Sequence, residues 1–222
     1  QHTPDENEMR EKYLEVINRE PQKRITRYAA GIMGGTGFAV FFGCNLRDAV
    51  IAFIVSVMIV AVGDWLAKRE SNLLVYNGIL AFISEVIIIG ALKMGIAEHP
   101  DRIMIGIVML LISGLSTTNG IRDLLQRDFI SGFINIMNSF LGAAGIAFGI
   151  GLAIILFHEG YSDHFILNHS VPIQLLSCTV ACTGFALWFK IRGKQVWYNS
   201  IGAFFTWAIY VAVYAVKPSN FL

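Results

Sequence analysis

The chain has 222 residues, 55% of them hydrophobic and only 15% charged, with a formal net charge of +1. Soluble domains carry charge at nearer a quarter of positions, so this composition, with a mean hydropathy of +0.59, marks an integral membrane protein. Near-neutral charge excludes a nucleic-acid binder, which would show a basic patch or stripe.

The chain starts at Gln1 rather than Met, which predicts further sequence upstream. The opening QHTPDENEMREKYLEVINREPQKR is charged and has no apolar core, so it is no signal peptide. Within it, Glu6–Glu20 alternates charge with Met9, Tyr13, Leu14, Val16 and Ile17, predicting a short amphipathic helix that ends before Pro21. Residues 1–27 therefore form a polar lead-in. The first span, about Tyr28–Cys44, is dense in glycine, and Gly31 and Gly35 make a GxxxG pair that permits close helix approach. A turn through Asn45–Asp48 leads to a second span, about Ala49–Ala67, which contains Asp64. The third, about Leu73–Ala97, carries Glu85 near its middle and Lys93 two turns later. Asp48 and Asp64 lie near span ends and are expected to be solvated, and His99 in the next turn is expected to face water.

Span four begins as an apolar run from Ile103 and turns polar in mid-course. Leu110–Gly132 reads LLISGLSTTNGIRDLLQRDFISG, bringing Ser113, Gly114, Ser116, Thr117, Thr118, Asn119 and Gly120 into quick succession ahead of Arg122 and Asp123. A spanning helix needs about 20 mostly apolar residues, and irregular backbone at that depth is tolerated only where it lines a cavity or is buried in protein. Such an interruption is the mark of a discontinuous helix at a transport site. Span five, about Phe133–Phe157, carries Gly142, Gly145, Gly149 and Gly151, with Asn135 and Asn138 at its start, where they could face that interruption. A polar loop, His158–Ser170, precedes span six (about Val171–Phe189) and span seven (about Val196–Val216). The predicted fold is all-α and polytopic, with about seven transmembrane helices and a discontinuous fourth span. It divides into a five-span module at 28–157, an extracytoplasmic loop at 158–170 and two further spans at 171–222.

The flanks give an orientation. With the N-terminus in the cytoplasm, Lys23, Arg24, Arg27, Lys68, Arg69, Arg122, Arg127, Lys190, Arg192 and Lys194 fall inside. Only Arg47, Lys93, Arg102 and Lys217 fall outside, as the positive-inside rule requires.

Glu85 is the sharpest candidate for proton coupling, because an ionisable group at that depth is a functional hypothesis by default. Its carboxyl favours the neutral state when dry and the charged state when wet or paired, the alternation a coupler needs. The alternative is a fixed pair with Lys93 or Arg122. Arg122 offers a bidentate clamp for a carboxylate and Asp123 a seat for an ammonium or a proton, unless both simply mark the cytoplasmic interface. Ser113, Gly114, Ser116, Thr117, Thr118 and Asn119 supply hydroxyl, amide and backbone groups at a helix break, where N–H groups and a positive half-dipole face a carboxylate. The competing reading is that these hydroxyls bond back to their own helix. Asp128 is expected to cap the helix that begins near Phe129. Cys44, Cys178 and Cys182 read as small packing residues, and no metal or cofactor is implied. No H-E-x-x-H or G-x-S-x-G motif supports an enzyme, while a channel or a structural subunit completing a partner stays open.

Leu111, Gly114, Thr118, Asn119, Arg122, Asp123, Leu124, Asp128, Ser131 and Gly132 match the pattern L-x-P-G-x-x-x-T-N-x-x-R-D-L-x-x-G-D-x-x-S-G, and on these residues the chain resembles the threonine/serine exporter family. The resemblance extends through the first five spans, from FFGCNLRDA to the alanine/glycine run of span five. TGFALWFKIRGK and YNSIGAFFTW resemble the start of the family's second module, which is a separate polypeptide in some bacteria. Two positions depart from the pattern: Ser113 stands for its proline and Arg127 for its glycine. The resemblance implies a proton-driven exporter of threonine and serine in the bacterial inner membrane. The alternative substrate is a dicarboxylate, succinate, linked to two-polypeptide members. It also implies a homo-oligomer or a complex with a second-module subunit, since the chain stops before the second L-x-P-G motif.

Overall fold

Among the described residues of the computed structural model, every regular element is a helix. Those residues are 9, 10, 13, 14, 17, 23–70, 72–112, 114–157, 170–191 and 193–216, with side chains as far as 213. Ser113, most of Glu6–Glu20 and nearly all of the His158–Ser170 loop lie outside them. In chain order the helices are α1 (Arg24–Phe41), α2 (Leu46–Leu66), α3 (Leu73–Lys93), α4 (Pro100–Leu111), α5 (Gly114–Leu125), α6 (Phe129–Phe157), α7 (Val171–Trp188) and α8 (Lys194–Val216).

Five of them, α2, α3, α6, α7 and α8, are long and apolar enough to cross a bilayer, and α4 with α5, bent by 50° at their break, has the form of a broken span or a re-entrant loop. At the expected first span the chain forms a helix, α1, 18 residues long, which is not among the helices apolar enough to cross a bilayer. Arg24, Arg27 and its glycines lower its hydropathy, and it packs against α2, α4 and α7.

Close approach at glycine holds the bundle together, because lipid gives helices no hydrophobic reason to associate. Two tight pairs dominate. In α1–α7, a Cβ on Gly37 would lie 3.0 Å from the Ala181 backbone, and one on Gly184 would lie 2.5 Å from the Gly34 nitrogen. In α3–α6, Gly145 and Gly149 rest against the backbone carbonyls of Leu74 and Gly78. The anticipated Gly31 and Gly35 pair does bring helices together, and its partner is α2, at Val60 and Ser56. Helix α4 closes on α1 through Gly106, packed against the Ala39 backbone. By contrast, only 6% of the spanning window of α8 is buried.

Candidate functional site

The fourth span breaks one step earlier than its polar run suggests. Helix α4 ends at Leu111, and Ile112 takes extended backbone (φ −66°, ψ 129°). Gly114 then starts α5, so Ser116, Thr117, Thr118 and Asn119 are helical. The reason is local: Thr118 Oγ1 donates to the Gly114 carbonyl at 3.0 Å, which satisfies the hydroxyl without leaving the helix. Across the bend the Gly114 N–H donates to the Ile112 carbonyl at 3.1 Å, and the start of α5 carries the positive half-dipole.

Helix α5 has two faces. One packs on α6: Gly120 sits on Gly132 and Ile136, and Thr117 Oγ1 donates to Ser139 Oγ at 2.8 Å. Asp123 accepts from Ser131 Oγ at 3.2 Å and from Asn135 Nδ2 at 3.0 Å. Of the two asparagines expected to face the interruption, Asn135 instead meets Asp123, just beyond the Ser113–Gly120 run, and Asn138 is exposed. The other face carries Gly114, Thr118, Asn119 and Arg122, all exposed, while Ser116 is partly buried. Arg122 and Asp123 therefore do not converge on one ligand. Asp123 braces the α5–α6 hairpin, and Arg122 stands on the open face.

Glu85 lies on α3 and is 1% exposed. It borders a small cavity shared with Ser84, Met104, Ile107, Val108, Leu111 and Ile150. Leu111 is the last residue of α4, so the buried carboxyl stands beside the break. Lys93, two turns on, donates to the Phe157 carbonyl at 3.4 Å and lies over its ring.

A family model settles the relationship. The threonine/serine exporter model, ThrE, matches residues 3–157. The chain belongs to this family. A relative, the threonine/serine exporter of Corynebacterium glutamicum, is 25% identical over 156 residues, which is 67% of this chain and 32% of that protein. The chain thus spans about a third of the length of the curated relative it matches. No solved structure matches.

The exporter signature can now be sorted by what each residue touches. Leu124, Ser131, Gly132 and Asp123 build the hairpin between α5 and α6. Asp128 accepts from the Ser131 N–H at 3.3 Å and caps α6, as anticipated. Gly114, Thr118, Asn119 and Arg122 lie on the exposed face of α5. The glycine of the signature that is Arg127 here also has a structural reason. Arg127 N–H donates to Leu124 O at 3.0 Å and Asp128 N–H to Asp123 O at 2.9 Å, a Schellman ending of α5. Arg127 accordingly has φ +67°, a conformation that favours glycine. Arg127→Gly is expected to be at least as stable as the parent, whereas Arg127→Val should lose about 1 kcal/mol or more. Thermal unfolding in detergent checks the order, and a Val variant as stable as the Gly variant would contradict it.

Several polar residues escaped sequence reasoning. Asp48, expected to be solvated, is fully buried, and His99, expected to face water, bonds to it through Nδ1 at 3.1 Å. The cause is the 98–99 backbone, folded over Asp48 from some 50 residues away. Asp64 is partly exposed and pairs with Arg27 at 2.6 Å. Asn77, buried on α3, donates to the Gly142 carbonyl at 3.3 Å. It sits on the line Asn77, Ser84, Glu85 along one helix, a polar stripe that 3.6-residue spacing could have flagged.

Proposed function

We propose that this chain is the first module of a secondary transporter that exports threonine and serine across the bacterial cytoplasmic membrane in exchange for protons. The observation that carries the reading is the broken fourth span: after the break α5 has an open face of Gly114, Thr118, Asn119 and Arg122, and before it Leu111 lines a small cavity with the buried acid Glu85. The Arg122 guanidinium suits a substrate carboxylate, while Thr118 and Asn119, one turn before it on the same face, suit its hydroxyl and ammonium. Glu85 is the proton-linked acid. Asp123, held by two neutral donors, positions α5 rather than carrying protons. The N-terminus is cytoplasmic, which puts the basic ends of α5 and α7 inside. The open face of α5 and the bare flanks of α8 call for further helices, from a second-module subunit or another copy of the chain.

Counterflow in proteoliposomes tests the reading, with labelled L-threonine outside and unlabelled serine, threonine or succinate as the trans load. Accumulation with serine but not succinate supports it. Accumulation with succinate alone makes the protein a dicarboxylate carrier, and none with any load removes the claim that this chain suffices. In an active preparation, Arg122→Gln is expected to raise the half-saturating threonine concentration roughly 10- to 100-fold, the worth of a charge-assisted hydrogen bond. Its melting temperature should stay unchanged, because Arg122 is exposed.

A further inference from the structure

At the opposite end of α4, a second polar cluster joins the α1–α2 turn to the α3–α4 turn. Asp48 Oδ1 accepts the Glu98 N–H at 2.9 Å and the His99 N–H at 3.4 Å, and Asp48 Oδ2 meets His99 Nδ1. Glu98 in turn accepts from Asn45 Nδ2 at 2.8 Å and from Arg47 Nη1 at 3.0 Å. Arg102, 7% exposed, donates Nη1 to the Gly43 carbonyl at 2.6 Å. Every one of these bonds crosses between the two turns, and Cys44 lies sealed behind them, 3% exposed.

Three features fit a closure that parts rather than a permanent staple. Gly43 (φ +100°) and Gly95 (φ +70°) sit in the two turns, each a pivot that glycine supplies at little cost. The rim pair Arg47 and Glu98 is open to solvent, with side chains 70% and 40% exposed, so water can replace its bonds. Arg102 Nε and Asp101 Oδ1 are buried without a hydrogen-bond partner among the described residues, a cost that native structures rarely leave standing without a role. Ile88, Ile103 and Ile107 share one buried apolar core with Cys44, and Ile88 and Ile107 also line the cavity at Glu85.

We propose that this Asp48-centred clasp is the outer gate of the transport path, shut in this structure and opened by parting the 43–48 turn from the 98–102 turn. The inference rests on the exporter reading of α4 and α5. One half of the clasp is the start of α4, whose far end carries the break, so a tilt of α4 about that break moves the clasp.

Cys44 is a built-in reporter. Burial first, and then the charge of Asp48, push its thiol well above the usual cysteine range, so it reacts slowly while the clasp is shut. The test uses the full chain in intact cells with Cys178→Ser and Cys182→Ser, leaving Cys44 as the labelled thiol, and a membrane-impermeant maleimide outside. Labelling is expected to be slow in threonine-starved cells and several-fold faster with internal threonine. Asp48→Asn should be labelled about tenfold faster than the parent without threonine, in keeping with an exposed thiol. Glu98→Gln, altered only at the exposed rim, should fall between and keep the parent's melting temperature. Cys44 labelling that ignores threonine in a protein that carries threonine would overturn the gate, as would Asp48→Asn and Glu98→Gln variants that stay as slow as the parent. Absence of threonine counterflow, with Cys44 still exposed by both variants, would instead remove the claim that this chain suffices for export and leave the clasp as the outer closure.

Discussion

Glu85→Gln is expected to abolish efflux driven by a pH gradient while leaving threonine–serine exchange intact. The substitution keeps size and hydrogen-bonding capacity and removes only the ability to titrate. Each unit of pH difference supplies about 1.4 kcal/mol per proton, roughly a tenfold accumulation ratio, and that increment is what the variant forfeits. Stability should not fall, since a buried amide is cheaper to desolvate than a buried carboxylate. The cavity beside Glu85 reaches Leu111 at the end of α4, so a change in its charge acts next to the break. Proteoliposomes loaded with threonine and given an imposed pH step read the effect. A Glu85→Gln protein that still follows the pH step would remove Glu85 from the coupling.

Gly145→Leu is expected to have the largest structural effect. A Cβ at this position would drive into the Leu74 backbone carbonyl, in the first turn of α3, and helical backbone cannot step aside as a side chain can. Overpacking costs about 1–3 kcal/mol in soluble cores, and here the α3–α6 seam has two such contacts in register, at Gly145 and Gly149. Gly151 offers the control: it lies on the same helix, and an added Cβ there meets nothing within 4 Å. Gly151→Leu should express and melt like the parent, while Gly145→Leu should lose most of its folded yield on size exclusion. Equal behaviour of the two would show that the seam is loose.

Much of this architecture was legible because it rests on local signals. Apolar runs, the charged turns between them and the Gly/Ser/Thr interruption placed the helices and the broken span within a few residues. The exact break was not legible, because Thr118 satisfies its hydroxyl inside the helix and the bend falls on an ordinary isoleucine. Nor was the division of labour between Arg122 and Asp123, since one helical step decides which of them faces α6. Asp48 was misjudged for a different reason: its burial depends on a backbone segment some 50 residues on, and no periodicity in its own neighbourhood reports that.

The glycine seam between α1 and α7 also bears on how the protein is made. Helix α1 enters the bilayer early, but Gly184, which fits against Gly34, is synthesised roughly 150 residues later. At ordinary elongation rates that is on the order of ten seconds. Through that interval the stripe of Gly34 and Gly37 faces lipid or the insertion machinery, with its backbone hardly covered by side chains. Nascent α1 is therefore the segment for which a membrane insertase or chaperone has most to do, and slowing translation between α6 and α7 should lower the yield of folded protein more than slowing it anywhere earlier.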